Sequence, residues 1–349
     1  MRRRMMAGDS KYDIWQINTK MDMSLIASGD LFPVSDILPE SYFENLPPAK
    51  RELAKSLAIN NKKYIFTGKT LPVSVLCFWN KTVFERYGLT SPYELYKNDE
   101  WTWDNFEKIA KEATRDTNND GEVDIIGVEG IYIWRCYSWI YANGGSITST
   151  DENGKRVWTA DQPKAINAIE RIKKWINEDK ITGGDASLEM FVQNKGAFGI
   201  DNYTGFKHLD QAEDVNYGVV PLPKGPDAKD YSFPLRAANE VFIPANSEAP
   251  LELVALVNFL YPNNEYKEAV NSFLMSRAVD QTSYMVLQDM FNNMKGSGYW
   301  LLNLLGKGHG DKPYSNAISA VLNDEKTAAN AFKEIKPEAQ ALIDEMFNQ

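Results

Sequence analysis

Leu71-Pro72-Val73-Ser74-Val75-Leu76-Cys77-Phe78-Trp79 runs almost unbroken in Val, Leu and aromatic side chains and stops at the polar pair Asn80-Lys81. A run of that length and composition reads as a long buried strand. Working outward, Tyr12–Ile17 reads as another buried strand upstream. Downstream, Thr102 is placed to N-cap a helix on which Phe106, Ile109, Ala110 and Ala113 share one face, with Asp104 near its positive end. Asp161 and Pro163 open a second helix that buries Ile166, Ile169, Ile172 and Ile176. A third starts between Ser247 and Pro250, with Leu253, Val254, Val257 and Leu260 turned inward. The tail from Thr327 to Met346 reads as helical and bent at Pro337. Strand-like and helical segments alternate along the chain, which favours an α/β fold over an all-helical or all-β one.

The 349 residues are too many for one ordinary domain and suit two. The proline-rich stretch Val219–Pro226 is the candidate crossing between them. A net charge of −10 sets the chain against nucleic acid and anionic membranes, whose phosphates would repel it. The longest apolar stretch, around Leu251–Leu260, is broken by Glu252 and Asn258 and falls short of the roughly 20 residues that span a bilayer. Cys77 and Cys136 are too few for a disulfide framework or a metal cluster. Arg2, Arg3 and Arg4 imitate the basic front of a signal peptide, but Gly8-Asp9-Ser10-Lys11 follows where an apolar region would be needed. Aromatic residues reach 12%, a palette that suits a sugar site. Ring faces stack on the C–H faces of pyranoses, while amides and carboxylates take the hydroxyls.

Three further stretches occur in a fixed order. The first is Phe78-Trp79-Asn80-Lys81 with Phe84, Tyr87-Gly88-Leu89 and Pro92, then Trp101-Thr102-Trp103-Asp104-Asn105-Phe106. The second is Phe191-Val192-Gln193-Asn194-Lys195-Gly196-Ala197-Phe198. The third is Tyr217-Gly218-Val219-Val220-Pro221-Leu222-Pro223, followed by Ala237-Ala238-Asn239 and Val241-Phe242-Ile243-Pro244. As an ordered set they resemble the bacterial extracellular solute-binding proteins of family 1, the ligand-capturing components of ABC importers, and within these the maltose-binding branch. Asn194 departs from the pattern, which has glycine there.

The resemblance implies a two-lobed, type II periplasmic-binding-protein-like α/β fold. Each lobe would be a mixed sheet flanked by helices, with hinge-crossing strands and a ligand cleft that closes about the hinge. The N-terminal lobe would comprise 1–73 and 224–288, and the C-terminal lobe 74–223 and 289–349. The family places a strand–helix–strand unit ahead of the segment that here begins at Met1, so the first lobe is expected to be incomplete at its start. Also implied are a carbohydrate ligand, an ABC permease in the membrane as partner, a monomer, and no required cofactor. The location would be extracytoplasmic, in a periplasm or lipid-anchored on the outer face of the cell membrane.

Matched residue by residue to the maltose-binding branch, the loop after Ile17 supplies Asn18, Lys20 and Asp22. A family carboxylate falls on Val73, with Ser74 beside it as a partial substitute. Trp134, with Arg135 next to it, takes the stacking position ahead of Gly144-Gly145. Asp201, Asn202 and Tyr203 follow the Lys195-Gly196 segment, Arg236 and Asn239 flank a loop facing the cleft, and Tyr314 is the last aromatic match. Plainer readings stand beside these. Trp79 reads as core, Trp101 and Trp103 as packing at a helix entry, and Arg236 as a surface charge. Helical spacing in the run Trp134–Trp139 would bury one or two of its aromatics.

Asp116-Thr117-Asn118-Asn119-Asp120-Gly121-Glu122-Val123-Asp124 matches the first nine positions of an EF-hand loop, with Asp116, Asn118, Asp120, Glu122 and Asp124 as oxygen ligands for calcium. The bidentate glutamate of position twelve is Gly127, which leaves the shell to water or Glu129. The other reading is an Asx-rich turn that needs no ion. Catalytic motifs are weak. His208 and His309 sit in no zinc or triad spacing, and Gly306-Lys307-Gly308-His309-Gly310 lacks the Walker pattern. A glycoside hydrolase is the rival function, since carboxylates distant in sequence can meet as a catalytic pair.

Overall fold

The computed structural model describes residues 13–18, 23–66, 71, 74–183, 188–202, 204–212, 214–235, 239–296, 298–304 and 313–348. Its strands are β1 (Trp15–Asn18), β2 (Leu76–Asn80), β3 (Ile126–Glu129), β4 (Thr148–Thr150), β5 (Arg156–Trp158), β6 (Thr182–Gly183), β7 (Gly196–Asp201), β8 (Tyr217–Val220), β9 (Phe233–Pro234), β10 (Asn239–Phe242) and β11 (Met294–Lys295). The apolar run at Leu71–Trp79 supplies β2, which starts later than expected. Pairing explains the difference: Leu76 stands opposite Asp201, the last residue of β7, so the earlier residues have no strand beside them there. β2 is central in a five-stranded sheet of order β6-β3-β7-β2-β8. It runs antiparallel to β7 and β8, while β3 is parallel to β6 and β7. All five β2 side chains are buried, which is why the sequence there shows no polar alternation.

Helices cover this sheet. Asn80 ends β2 and N-caps the helix Lys81–Tyr87 by accepting the Val83 N–H at 3.0 Å, and left-handed Gly88 closes it. Thr102 N-caps Trp103–Ala113, as expected, and Phe106, Ile109, Ala110 and Ala113 are all buried. In Pro163–Asn177 the buried face is Ile169, Ile172 and Trp175 with Ala165 and Ala168, while Ile166 and Ile176 are half-buried at its margin. Trp103, Trp139 and Trp175 pack with Phe106 and Phe198 in one aromatic core, with centroid spacings of 4.9 Å for Trp139–Trp175 and for Phe106–Phe198. Tilted and edge contacts of this kind suit the ring quadrupoles. Much of the aromatic excess is therefore core, including Trp79, Trp101 and Trp103.

A second, smaller sheet pairs β1 antiparallel with β10, Trp15 opposite Phe242 and Asn18 opposite Asn239. Helices Pro48–Ser56 and Pro250–Leu260 accompany it in this part of the chain. In the latter, Val254 and Val257 are buried as expected, Leu253 is half-buried, and Leu260, expected inside, is 48% exposed. It is the last helical residue before Tyr261-Pro262, where no further turn continues the buried stripe. Between the two sheets the chain leaves β8 through Pro221–Pro223, where the Trp101 indole donates to the Pro221 carbonyl at 2.8 Å, and enters β9, which pairs parallel with β11. Helix Gln281–Asn293 is tied to the five-stranded side by Lys81–Asp280 at 2.7 Å, Tyr93–Ser283 at 2.6 Å and Tyr96–Asp289 at 2.9 Å. The C-terminal helix Ala328–Phe347 carries Pro337 inside it, after an N-cap by Thr327.

Candidate functional site

The site is built from the carboxyl end of β7 and the turn after β3. β7 ends in Asp201, fully buried, followed by buried Asn202, whose N–H donates to Asp201 Oδ1 at 2.6 Å. Arg135, also buried, pairs with Asp201 through Nη2 and donates through Nη1 to the carbonyls of Ile200 and of Gly130, the latter at 3.0 Å. A guanidinium taken from water needs such partners, because an unpaired buried charge is costly. Gly130 makes the arrangement feasible: at φ +90° a side chain is strained, and a Cβ would collide with the Ile200 carbonyl oxygen and lie 2.7 Å from Arg135 Nη1.

Arg135 closes a short 3-10 helix, Ile133–Arg135, that follows directly on Tyr132. The guanidinium lies 4.5 Å from the Tyr132 ring centroid. Trp134 is half-buried and faces Tyr314 at 6.4 Å between centroids. Tyr314 itself is fully buried with no hydrogen-bond partner for its hydroxyl among the described residues, and burial pushes its phenol well above the usual range. Arg135, Asp201 and Asn202 thus form one buried polar array with the half-buried Tyr132 ring against it, while Trp134, next to Arg135 in the chain, packs toward Tyr314.

Other expected residues lie elsewhere or outside the described part. The Ser74 hydroxyl donates to the Pro234 carbonyl at 3.0 Å and is buried, so it ties β2's approach to β9. Asn239 is exposed at the start of β10, opposite the backbone of Asn18. Lys20, Asp22, Tyr203, Arg236 and the Asn18 side chain lie outside the described residues, as does His309. Sequence reasoning missed Tyr132, although it belongs to the same aromatic run as Trp134. It also missed the buried pair of Lys50 and Glu240, which sits directly behind Asn239 in the chain. No local spacing announces a pair 190 residues apart.

The Asp116–Asp124 loop holds its shape with its own hydrogen bonds. Asp116 accepts the N–H groups of Asn118, Asn119 and Gly121 at 3.1, 2.6 and 2.8 Å, which, Gly121 foremost, lower its carboxyl below the ordinary range. Asp124 takes the hydroxyl and N–H of Thr117 at 2.5 and 2.7 Å and is lowered likewise. Asp120 accepts from Glu122 and Asn118. At position twelve a side chain on Gly127 would collide with the Ala110 carbonyl, so no ligand can come from there. Glu129, expected as a substitute, is buried and accepts the N–H groups of Met190 and Phe191 at 3.2 and 2.9 Å. Among the described residues no three His, Cys, Asp or Glu side chains are arranged to hold a metal ion.

Comparison with known proteins follows the same direction. A family model described as bacterial extracellular solute-binding protein matches residues 1–263. No curated protein matches the chain by sequence. Among solved structures, a cyclo/maltodextrin-binding protein complexed with maltotetraose is similar at a TM-score of 0.70 and 17% identity, over 99% of this chain and 86% of that one. The maltose/maltodextrin-binding domain MalE from Bdellovibrio bacteriovorus, bound to maltotriose, gives 0.67 and 16% over 98% and 87%. The GacH receptor of Streptomyces glaucescens, solved unliganded and with acarbose, gives 0.65 and 15% over 100% and 87%. At such identities the likeness establishes the fold, which is two-lobed and α/β with helix-flanked sheets.

Proposed function

Because the chain belongs to the bacterial extracellular solute-binding proteins, we propose that it captures a sugar or oligosaccharide between its lobes and delivers it to the membrane permease of an ABC importer. The observation that carries this reading is the half-buried Tyr132 ring against the buried Arg135–Asp201–Asn202 array, with half-buried Trp134 adjoining Arg135 in the chain. Rings supply the C–H stacking surface, and polar groups fixed in place lose little entropy on meeting hydroxyls. The structural neighbours solved with maltotriose, maltotetraose and acarbose agree with that ligand class.

The reading is of a binding protein without chemistry of its own. Hydrolysis of a glycosidic bond needs two carboxyl groups about 5–9.5 Å apart, one able to carry a proton. Asp201 is instead engaged by Arg135 and by the Asn202 N–H. We place the lobes at 1–73 with 224–288 and at 74–223 with 289–349; helix Gln281–Asn293 touches both groups, through Lys81, Tyr93 and Tyr96 on one side and helix Pro48–Ser56 on the other. The protein acts as a monomer on the extracytoplasmic side, periplasmic or lipid-anchored, and the Asp116–Asp124 turn needs no ion. The test is titration calorimetry against a panel of mono- and oligosaccharides. Saturable binding of at least one intact sugar is expected; steady release of shorter sugars would transfer the assignment to a hydrolase.

A further inference from the structure

Away from Trp134 and Asp201, a cavity of about 710 Å³ lies between the segment Glu40–Lys63 and the β4–β5 hairpin. Its size falls within the range of small-molecule sites. Arg156 of β5 stands in its wall, half-buried, and is held rigidly. Its N–H donates to Asn348 Oδ1 at 3.0 Å, its carbonyl accepts from Asn348 and Gln340, and its guanidinium lies 4.5 Å from the Phe347 ring centroid. One guanidinium nitrogen, Nη1, donates to the Ser56 carbonyl at 3.2 Å. Among the described residues no carboxylate pairs with it, and desolvation accordingly lowers its pKa. Exposed Lys55 lines the same cavity, also without an acidic partner among the described residues.

The two carboxylates in the wall do not neutralise these cations. Glu40 is paired with Lys63, and Glu52 accepts the Gly296 N–H at 3.0 Å. Neutral donors complete the lining: Asn60, Asn61, Thr148 and Thr150. A preorganised, partly desolvated guanidinium with a second free cation and amide and hydroxyl donors around it is the chemistry that recognises an oxyanion. The geometry points to a second ligand site here, for a small polar molecule bearing a phosphate or carboxylate group, with Arg156 as the planar fork and Lys55 as the mobile charge. What the Arg135–Asp201 array binds has no bearing on this second site.

Thermal shift and calorimetry with inorganic phosphate, with glucuronate and with neutral glucose, all at matched ionic strength, test it. Phosphate or glucuronate should raise the melting temperature saturably while glucose does not act through this cavity, and whichever anion binds identifies the preferred group. Arg156→Gln should weaken that binding at least 10-fold. Since Arg156 also packs on Phe347, Lys55→Gln is the control that leaves the half-buried wall intact, and it should weaken binding several-fold. If neither anion binds saturably, or if binding survives both substitutions unchanged, the site does not exist.

Discussion

Arg135 shows how much of the candidate site rests on one residue without a side chain. Gly130 gives it a carbonyl to donate to and the room to reach Asp201. In Gly130→Ala the new Cβ forces the guanidinium or the β7 terminus to shift, at about 1–3 kcal/mol for the strained backbone. The melting temperature should fall and sugar affinity drop about 10-fold or more, because the polar array moves as a unit; unchanged affinity in a folded variant would separate Arg135 from the site. Trp134→Ala tests the stacking surface differently. The ring is only half-buried, so stability should change little, while loss of a ligand-facing aromatic costs about 2 kcal/mol of binding, some 30-fold. Calorimetry on the variant, with circular dichroism as the folding control, reads both. Wild-type affinity would mean that Trp134 serves only to cover Tyr314. Trp134 is singled out by the family resemblance, which sets an aromatic ahead of Gly144-Gly145, whereas Tyr132 is not, since nothing in a linear reading says which rings of one run share a surface with Arg135.

At the scale of elements, the sequence shows most where a local rule decides. Asn80 and Thr102 cap their helices and β2 is a continuous apolar run; each is readable from a few neighbours. The charge network on the helix Trp103–Ala113 was not readable, because its members come from two helices. Glu107 accepts from Lys111 at 2.7 Å, Lys174 at 3.1 Å and the Trp175 indole at 2.9 Å, and it also pairs with Arg171. Burial alone would raise its carboxyl, but these contacts outweigh burial and hold it at about 2. A depressed carboxyl contributes stability that is complete above its unfolded value near pH 4.3 and is lost as pH falls toward 2. Wild type should therefore lose stability across that window, and Glu107→Gln should lose about 1–2 kcal/mol at pH 7, since its lysine partners are part-exposed and screened, and respond less to acid; parallel pH–melting curves would contradict the network's role. The Asp116–Asp124 turn makes the opposite case. Its sequence reads both as a calcium loop and as an ion-free Asx turn, and only Gly127, packed against the Ala110 carbonyl, is settled by its neighbours as offering no ligand; in the ion-free reading the Asp116 carboxylate is served by backbone N–H groups alone. Chelator should leave the melting temperature unchanged; a fall would restore the ion.

For the molecule as a whole, the question is whether one ligand reports to both sheets. Asn18 and Asn239 belong to the β1–β10 pair, and Asp201, Asn202 and Trp134 to the five-stranded side. The two sides have separate β-sheets, so without ligand nothing requires their amides to exchange together. A ligand that binds only the closed native state stabilises it by RT ln(1 + [L]/Kd), about 2.7 kcal/mol at 100 times Kd. Every amide that exchanges by opening a surface the ligand holds slows by the same factor, about 100-fold. Hydrogen exchange followed on Gly196–Asp201 and on Asn239–Phe242 therefore distinguishes closure from one-sided binding. Both segments should slow together as sugar is added, in proportion to its concentration. Slowing confined to Gly196–Asp201 would place the ligand on the five-stranded side alone, and capture between lobes would then be the wrong description even if the affinity were high.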